Sequence, residues 1–211
     1  GERVFGVMPL VEEIGPELPY FNEQTEAIKN TQLYTFFSED GGETFSEPQR
    51  IEMKSKYKGL SCVLTSPPLL LKDGRIMVNF EVYKTYYDEG AFSHHAACIF
   101  SEDGGKTWSV PKATGIGGTP PHLLIHSSGK IVLSYGRRVA PCGQAARISS
   151  DGGNTWSEEI FVSPESPDWD CGYPSSVELS DGSVLTVYYQ KFPGDTYNSI
   201  LSTRWELPKE G

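Results

Sequence analysis

The chain has 211 residues, 37% hydrophobic and 12% aromatic, a composition that folds around a core rather than staying disordered. Its 28 acidic against 18 basic residues leave a formal charge of −10, which argues against non-specific binding to nucleic acid or to anionic membrane. No apolar run reaches the length of a membrane span, and no signal-peptide pattern opens the sequence.

In chain order, a partial first unit runs to Ile51 and contains SEDGGETF at residues 38–45. From Thr65, TSPPLLLKDGRIMVNFEVY reads as an apolar strand, a polar glycine turn and a second apolar strand. A third strand, HAACIFSEDGG, then enters SEDGGKTW at residues 101–108. The pattern restarts at Gly118 with GTPPHLLIHSSGKIVLSYGRR, passes through QAARISSDGG into SSDGGNTW at residues 149–156, and ends on a fourth strand, WSEEIFV. GYPSSVELSDGSVLTVYYQ, from Gly172, opens a last unit that lacks the box. The turn glycines Gly74, Gly129 and Gly182 are 55 and 53 residues apart, and no segment holds a helical period. Four antiparallel strands about every 50 residues, with one turn motif each, predict an all-β protein: a β-propeller of four-stranded blades. The predicted blades cover residues 1–58, 59–112, 113–166 and 167–211 of one domain, with open edges that invite pairing with another copy.

The box has a structural explanation. Its aspartates, Asp40, Asp103 and Asp151, can accept hydrogen bonds from the N–H groups of their own turns, and the paired glycines allow positive φ. The threonine can close the turn, and Phe45, Trp108 and Trp156 are expected to pack between sheets. Copies placed one per blade cannot converge on a single pocket, so the boxes read as scaffold rather than as calcium or catalytic sites. Cys62, Cys98, Cys142 and Cys171 lack metal-ligand spacing, so neither a metal nor a cofactor is expected.

Strand direction places the glycine turns and the boxes on one rim. The other rim collects the longer segments near 54–66, 81–95, 112–121, 136–146, 164–174 and 190–198. These irregular loops are where a site is expected. They hold Glu81, Lys84, His94, His95, Arg137, Arg138, Asp168, Asp170 and Tyr173. Alternation along a strand sends at most one of His94 and His95, and one of Arg137 and Arg138, toward a pocket. His122, near the start of a first strand, is placed to touch a ligand or to pack, and Trp169 to stack on a sugar or to pack between blades.

The S-x-D-x-G-x-T-W motif resembles the Asp box, or bacterial neuraminidase repeat, of the sialidase superfamily, and the likeness extends over essentially the whole chain. It implies a six-bladed propeller, of which this chain supplies about four blades, and a secreted or periplasmic protein. It also implies a glycosidase acting on a terminal, acidic sugar of a glycan through a tyrosine nucleophile, with arginines gripping the substrate carboxylate. Tyr173, in GYPSSVELSDG, matches the place of the nucleophile, and Arg137 or Arg138 that of one arginine. Glu81 stands where an arginine is expected and is the candidate for handling the proton. His122, His94, His95, Lys84 and Asp170 complete the candidate substrate contacts. No Arg-Ile-Pro-like motif appears near the start, so two further readings stand beside hydrolysis. One is a glycan-binding propeller without catalysis, the other a propeller piece that needs further blades or another chain.

Overall fold

The computed structural model describes residues 3–12, 15, 17–91, 94–163 and 165–208. Phe92, Ser93 and Pro164, from two of the predicted rim segments, lie outside them. Among the described residues the regular structure is antiparallel β-strand, with one 3-10 turn at Ser55–Tyr57. The chain forms two compact units, residues 1–113 and 114–211.

The first unit contains β1 (Val4–Val11), β2 (Phe21–Asn22), β3 (Ala27–Ile28), β4 (Thr31–Ser38), β5 (Gln49–Arg50), β6 (Ser61–Val63), β7 (Leu69–Leu70), β8 (Ile76–Tyr83), β9 (His95–Ser101) and β10 (Lys112–Ala113). Its first sheet runs β1-β4-β5, with β1 and β4 paired from Val4–Ser38 to Val11–Thr31. In the second sheet, ordered β10-β9-β8-β6, the strand expected from Thr65 is reduced to β7, and β6 lies in the segment near 54–66 that was expected to be irregular. β6 pairs with one end of β8 and β7 with the other. Pro67 and Pro68 lie in the gap, where rings without N–H groups cannot continue the ladder. Leu33, Ile51, Phe80, Val82, Ile99 and Trp108 are central to the unit's core, and Phe5 and Val7 of β1 pack against it.

The second unit contains β11 (Pro121–Ile125), β12 (Ile131–Arg137), β13 (Gly143–Ser149), β14 (Ile160–Phe161), β15 (Gly172–Glu178), β16 (Val184–Gln190) and β17 (Ser199–Trp205). They form two antiparallel sheets, β11-β12-β13-β14 and β15-β16-β17. The sheets share an apolar cluster of Val132, Ala146 and Val162 with Leu124, Trp205 and Leu207. A buried hydroxyl chain also joins them: Ser134 Oγ lies 2.9 Å from Ser176 Oγ, which lies 2.9 Å from Thr186 Oγ1, which accepts from Trp205 Nε1 at 2.9 Å. Each hydroxyl has a partner, as burial requires.

All three boxes close alike. In the first, Asp40 Oδ1 accepts from Ser38 Oγ at 2.6 Å and from the N–H groups of Glu43 and Thr44, while Oδ2 accepts from Thr44 Oγ1 at 2.6 Å. Asp103 and Asp151 repeat the pattern with Ser101 and Thr107, and with Ser149 and Thr155. These donors favour the ionised form, holding Asp40 and Asp103 well below the usual carboxylate range and Asp151 at about 2. The box carboxylates are thus spent inside their own turns. The aromatic position differs from expectation in one box: Trp108 is buried, whereas Phe45 is 52% exposed.

Candidate active site

In the second unit the candidate residues gather where strands turn. β15 enters its sheet beside the exit of β16, Gly172 facing Tyr189, so residues 168–173 and 189–198 share one end of that sheet. Gly136, in β12, lets this end approach. A Cβ there would stand 2.7 Å from the Thr119 carbonyl oxygen and 2.9 Å from Gly172 Cα. Tyr173 follows a glycine at φ +142 and itself sits at φ +50, beside a break in the β15–β16 register. A bulky residue in the left-handed region is strained, and such strain concentrates at functional positions.

The Tyr173 ring is 64% exposed and lies 6.0 Å from the Tyr189 ring, so it does not fill an apolar channel within its unit. Tyr189 donates its hydroxyl to Asp170 Oδ1 at 2.9 Å, and Asn198 Nδ2 donates to Asp170 Oδ2 at 2.7 Å. Lys191 Nζ sits 2.9 Å from Asp168 Oδ2 and 4.0 Å from Asp170 Oδ2. The Asp170 N–H donates to Asp168 Oδ1 at 3.0 Å, which orders the segment leading to Tyr173. Donation from Asn198 and then Tyr189, with the Lys191 and Arg138 charges adding, keeps Asp170 below the usual carboxylate range. Burial, followed by donation to that carboxylate, pushes the Tyr189 phenol up to about 12.

The adjacent arginines take different partners. Arg137 Nε meets Glu159 Oε1 at 2.8 Å, and its Nη1 donates to the Val139 and Pro141 carbonyls, each at 2.5 Å. Arg137 therefore ties down its own loop. Arg138 donates from Nε to the Thr119 carbonyl at 3.2 Å, and its guanidinium carbon stands 6.0 Å from the ring of the exposed Trp169. Among the described residues no carboxylate forms an ion pair with Arg138. His122 Nδ1 accepts the Ser176 N–H at 3.3 Å, and burial holds its ring toward the neutral form. That contact is a packing role of the kind weighed for it.

Glu81, Lys84, His94 and His95 belong to the first unit. Glu81 is 3% exposed in β8 and accepts the Tyr83 hydroxyl at 2.9 Å. Lys84 is also buried, and it donates to the Gly90 carbonyl at 2.7 Å rather than forming a surface pair with Glu81. His94 stacks 4.5 Å from the Tyr83 ring and is held toward its neutral form by burial, while His95 lies 5.9 Å from the Tyr57 ring. The structure thus assembles Arg138, Asp170 and Tyr173 in one unit and Glu81, Lys84 and His94 in the other. Tyr189, Lys191 and Asn198 were missed. Their signal was the polar stretch at the end of a second strand, the same kind of position that singled out Glu81.

Among curated proteins none matches the sequence. Solved structures do. A protein of unknown function from Dyadobacter fermentans DSM 18053 superposes with a TM-score of 0.73 at 23% identity, over 98% of this chain and 50% of its own. A family 117 glycoside hydrolase from the marine bacterium Zobellia galactanivorans gives 0.61 at 12% identity, over 95% and 62%. The Hadza microbial sialidase Hz136 gives 0.59 at 20% identity, over 89% and 37%. The chain thus spans less than two thirds of each of these proteins, and the fold they share with it is the sialidase β-propeller. The BNR repeat-like domain family matches residues 18–192. With three closed Asp boxes inside that match, the chain belongs to the BNR repeat-like domain family.

Proposed function

We propose that the chain carries the tyrosine-and-carboxylate part of a glycoside hydrolase site that acts on a terminal, acidic sugar of a glycan. The observation that supports this most is the Tyr189–Asp170 hydrogen bond beside the exposed Tyr173, with Lys191 and Asn198 fixing the carboxylate. In a glycosidase of this type a tyrosine oxygen attacks the anomeric carbon, where positive charge develops, and a carboxylate takes the phenolic proton. Tyr173 presents its ring to solvent at this rim, and Asp170 is the ionised acceptor in the same segment. Arg138 supplies a cation for an acidic substituent. Glu81 stays the candidate proton carrier of the first unit, and the four sheets are read as successive blades of one domain.

A second reading, glycan binding without turnover, is favoured by one specific feature. Among the described residues none hydrogen-bonds the Tyr173 hydroxyl, so no base stands ready at the candidate nucleophile. Release of 4-methylumbelliferone from a sialoside, beside neutral and uronic glycosides, separates the readings when run with Tyr173→Phe and Tyr189→Phe. Turnover of the sialoside that falls at least 100-fold in Tyr173→Phe, with the fold intact, supports the tyrosine mechanism. Loss only in Tyr189→Phe moves the nucleophile to the tyrosine paired with Asp170. Absence of turnover together with measurable sugar binding establishes the second reading.

A further inference from the structure

Two of the four cysteines lie in the loops that build the second unit's rim. Cys142 ends the loop that carries Arg138, and Cys171 lies between Asp170 and Tyr173. Cys142 forms an isolated antiparallel bridge with Ser166, whose N–H donates to the Cys142 carbonyl at 2.8 Å. Residues facing each other across an antiparallel pair project their side chains to the same side, with Cβ atoms about 4.5–5.5 Å apart. The Cys171 thiol points at the backbone following Cys142, standing 3.6 Å from the Gly143 carbonyl and 3.8 Å from that of Arg137. The Cys171 sulfur therefore sits against the backbone next to Cys142, where Cys142 bridges Ser166.

We infer that Cys142 and Cys171 are a dithiol pair that closes to a disulfide and fastens the Arg138 loop to the Asp170–Tyr173 segment. Both are thiols in this structure. Cys142 is half-buried and Cys171 fully buried, which fixes the order of events with a low-molecular-weight disulfide as oxidant. The Cys142 thiolate attacks one sulfur of the oxidant and expels one thiolate, leaving a mixed disulfide on Cys142. The Cys171 thiolate then attacks the Cys142 sulfur and expels the second. Two protein thiols lose two protons and two electrons, and the oxidant becomes two thiols. Burial raises the Cys171 thiol, so the second step is the slow one and quickens with pH. The bond would constrain covalently the segment that holds Tyr173 at positive φ. That this would tune sugar binding rests on the rim being a glycan site; the cross-link does not.

The test equilibrates the folded chain with glutathione disulfide, alkylates with N-ethylmaleimide, and maps peptides by mass spectrometry, alongside Cys142→Ser and Cys171→Ser. The expected result is a dithiothreitol-sensitive link between the Cys142 and Cys171 peptides, absent from both variants, with the thermal midpoint raised by about 5 °C. Cys142→Ser keeps the test decisive if loss of the buried Cys171 prevents folding. Recovery of both cysteines alkylated or glutathione-capped overturns the inference. A link that involves Cys62 or Cys98, or one that forms only in urea, does the same. Failure of the glycosidase reading appears instead as absent turnover and binding with the link intact.

Discussion

Tyr189 and Asp170 form a hydrogen-bonded pair: burial and then the carboxylate hold the phenol protonated to about pH 12, and Asn198 and then the phenol hold the carboxyl ionised into acid. The signs oppose. Asp170, depressed in the folded chain, contributes stability that is present above the ordinary carboxylate pKa of about 4 and is lost as the pH falls through its folded value. Tyr189, raised, contributes stability that is present below about pH 10 and is lost between there and about 12. The stability advantage of the parent over Tyr189→Phe should therefore be level from about pH 5 to 10 and shrink on either side. Thermal midpoints across that range check it. An advantage undiminished at pH 11.5 would sink the assignment.

Arg137 and Arg138 should separate cleanly despite their adjacency. Arg137 holds Glu159 and two carbonyls of its own loop, so Arg137→Ala should cost about 2–3 kcal/mol in urea denaturation. Arg138 makes one backbone hydrogen bond and a ring contact at 6.0 Å, so Arg138→Ala should stay within about 1 kcal/mol of the parent. On the proposed function, Arg138→Ala should instead weaken binding of a carboxylated sugar by about tenfold or more. The opposite allocation, with stability lost at Arg138 and affinity at Arg137, would overturn the division.

Much of this was legible because the boxes are local. Asp103 finds all its partners within a few residues, so sequence spacing alone exposes the network, and the strands that flank it follow. Pro67 and Pro68 were visible too, yet the strand was read from Thr65 straight through them, and β6, just before, fell in a segment read as irregular. The site was harder, because its contacts link distant segments. Asp170 meets Asn198 across a strand pair, and nothing in either local sequence announces the other. Burial was also hidden: Glu81 and Lys84 were read as rim residues, but Glu81 lies within the buried strand β8 and Lys84 directly follows it, and both are buried.

Gly136 offers a test of the site that leaves every candidate side chain in place. An added Cβ would meet the Thr119 carbonyl oxygen, Gly172 Cα and the Cys171 carbonyl oxygen at 2.7, 2.9 and 3.2 Å, all backbone atoms with no rotamer to yield. Gly136→Ala should therefore cost about 1–3 kcal/mol and displace residues 171–173. On the proposed function, sugar binding should fall at least tenfold while the far-ultraviolet spectrum stays unchanged. Binding at the parent's affinity would show that Tyr173 does not take part.

The same box position should give opposite answers in two boxes. Trp108 is 8% exposed and packs with its centroid 6.2 Å from the Phe5 ring. Gly105, in that box, lies so close beneath Phe5 that a Cβ would approach the ring at 2.5 Å. Among the described residues the first box has no such cover. Phe45 is 52% exposed, its ring meeting Phe36 edge-on at 5.4 Å, and a Cβ on Gly42 would find nothing nearer than 3.8 Å. Trp108→Ala should thus cost about 3–5 kcal/mol, the range for opening a large buried cavity. Phe45→Ala should cost under about 1 kcal/mol, because its ring already meets water. The carboxylate networks behind both aromatics are alike, so the hydrogen-bonded turn is controlled for and the difference reports packing alone. Equal losses in urea denaturation would mean that Phe45 is covered in solution by something that also buries it.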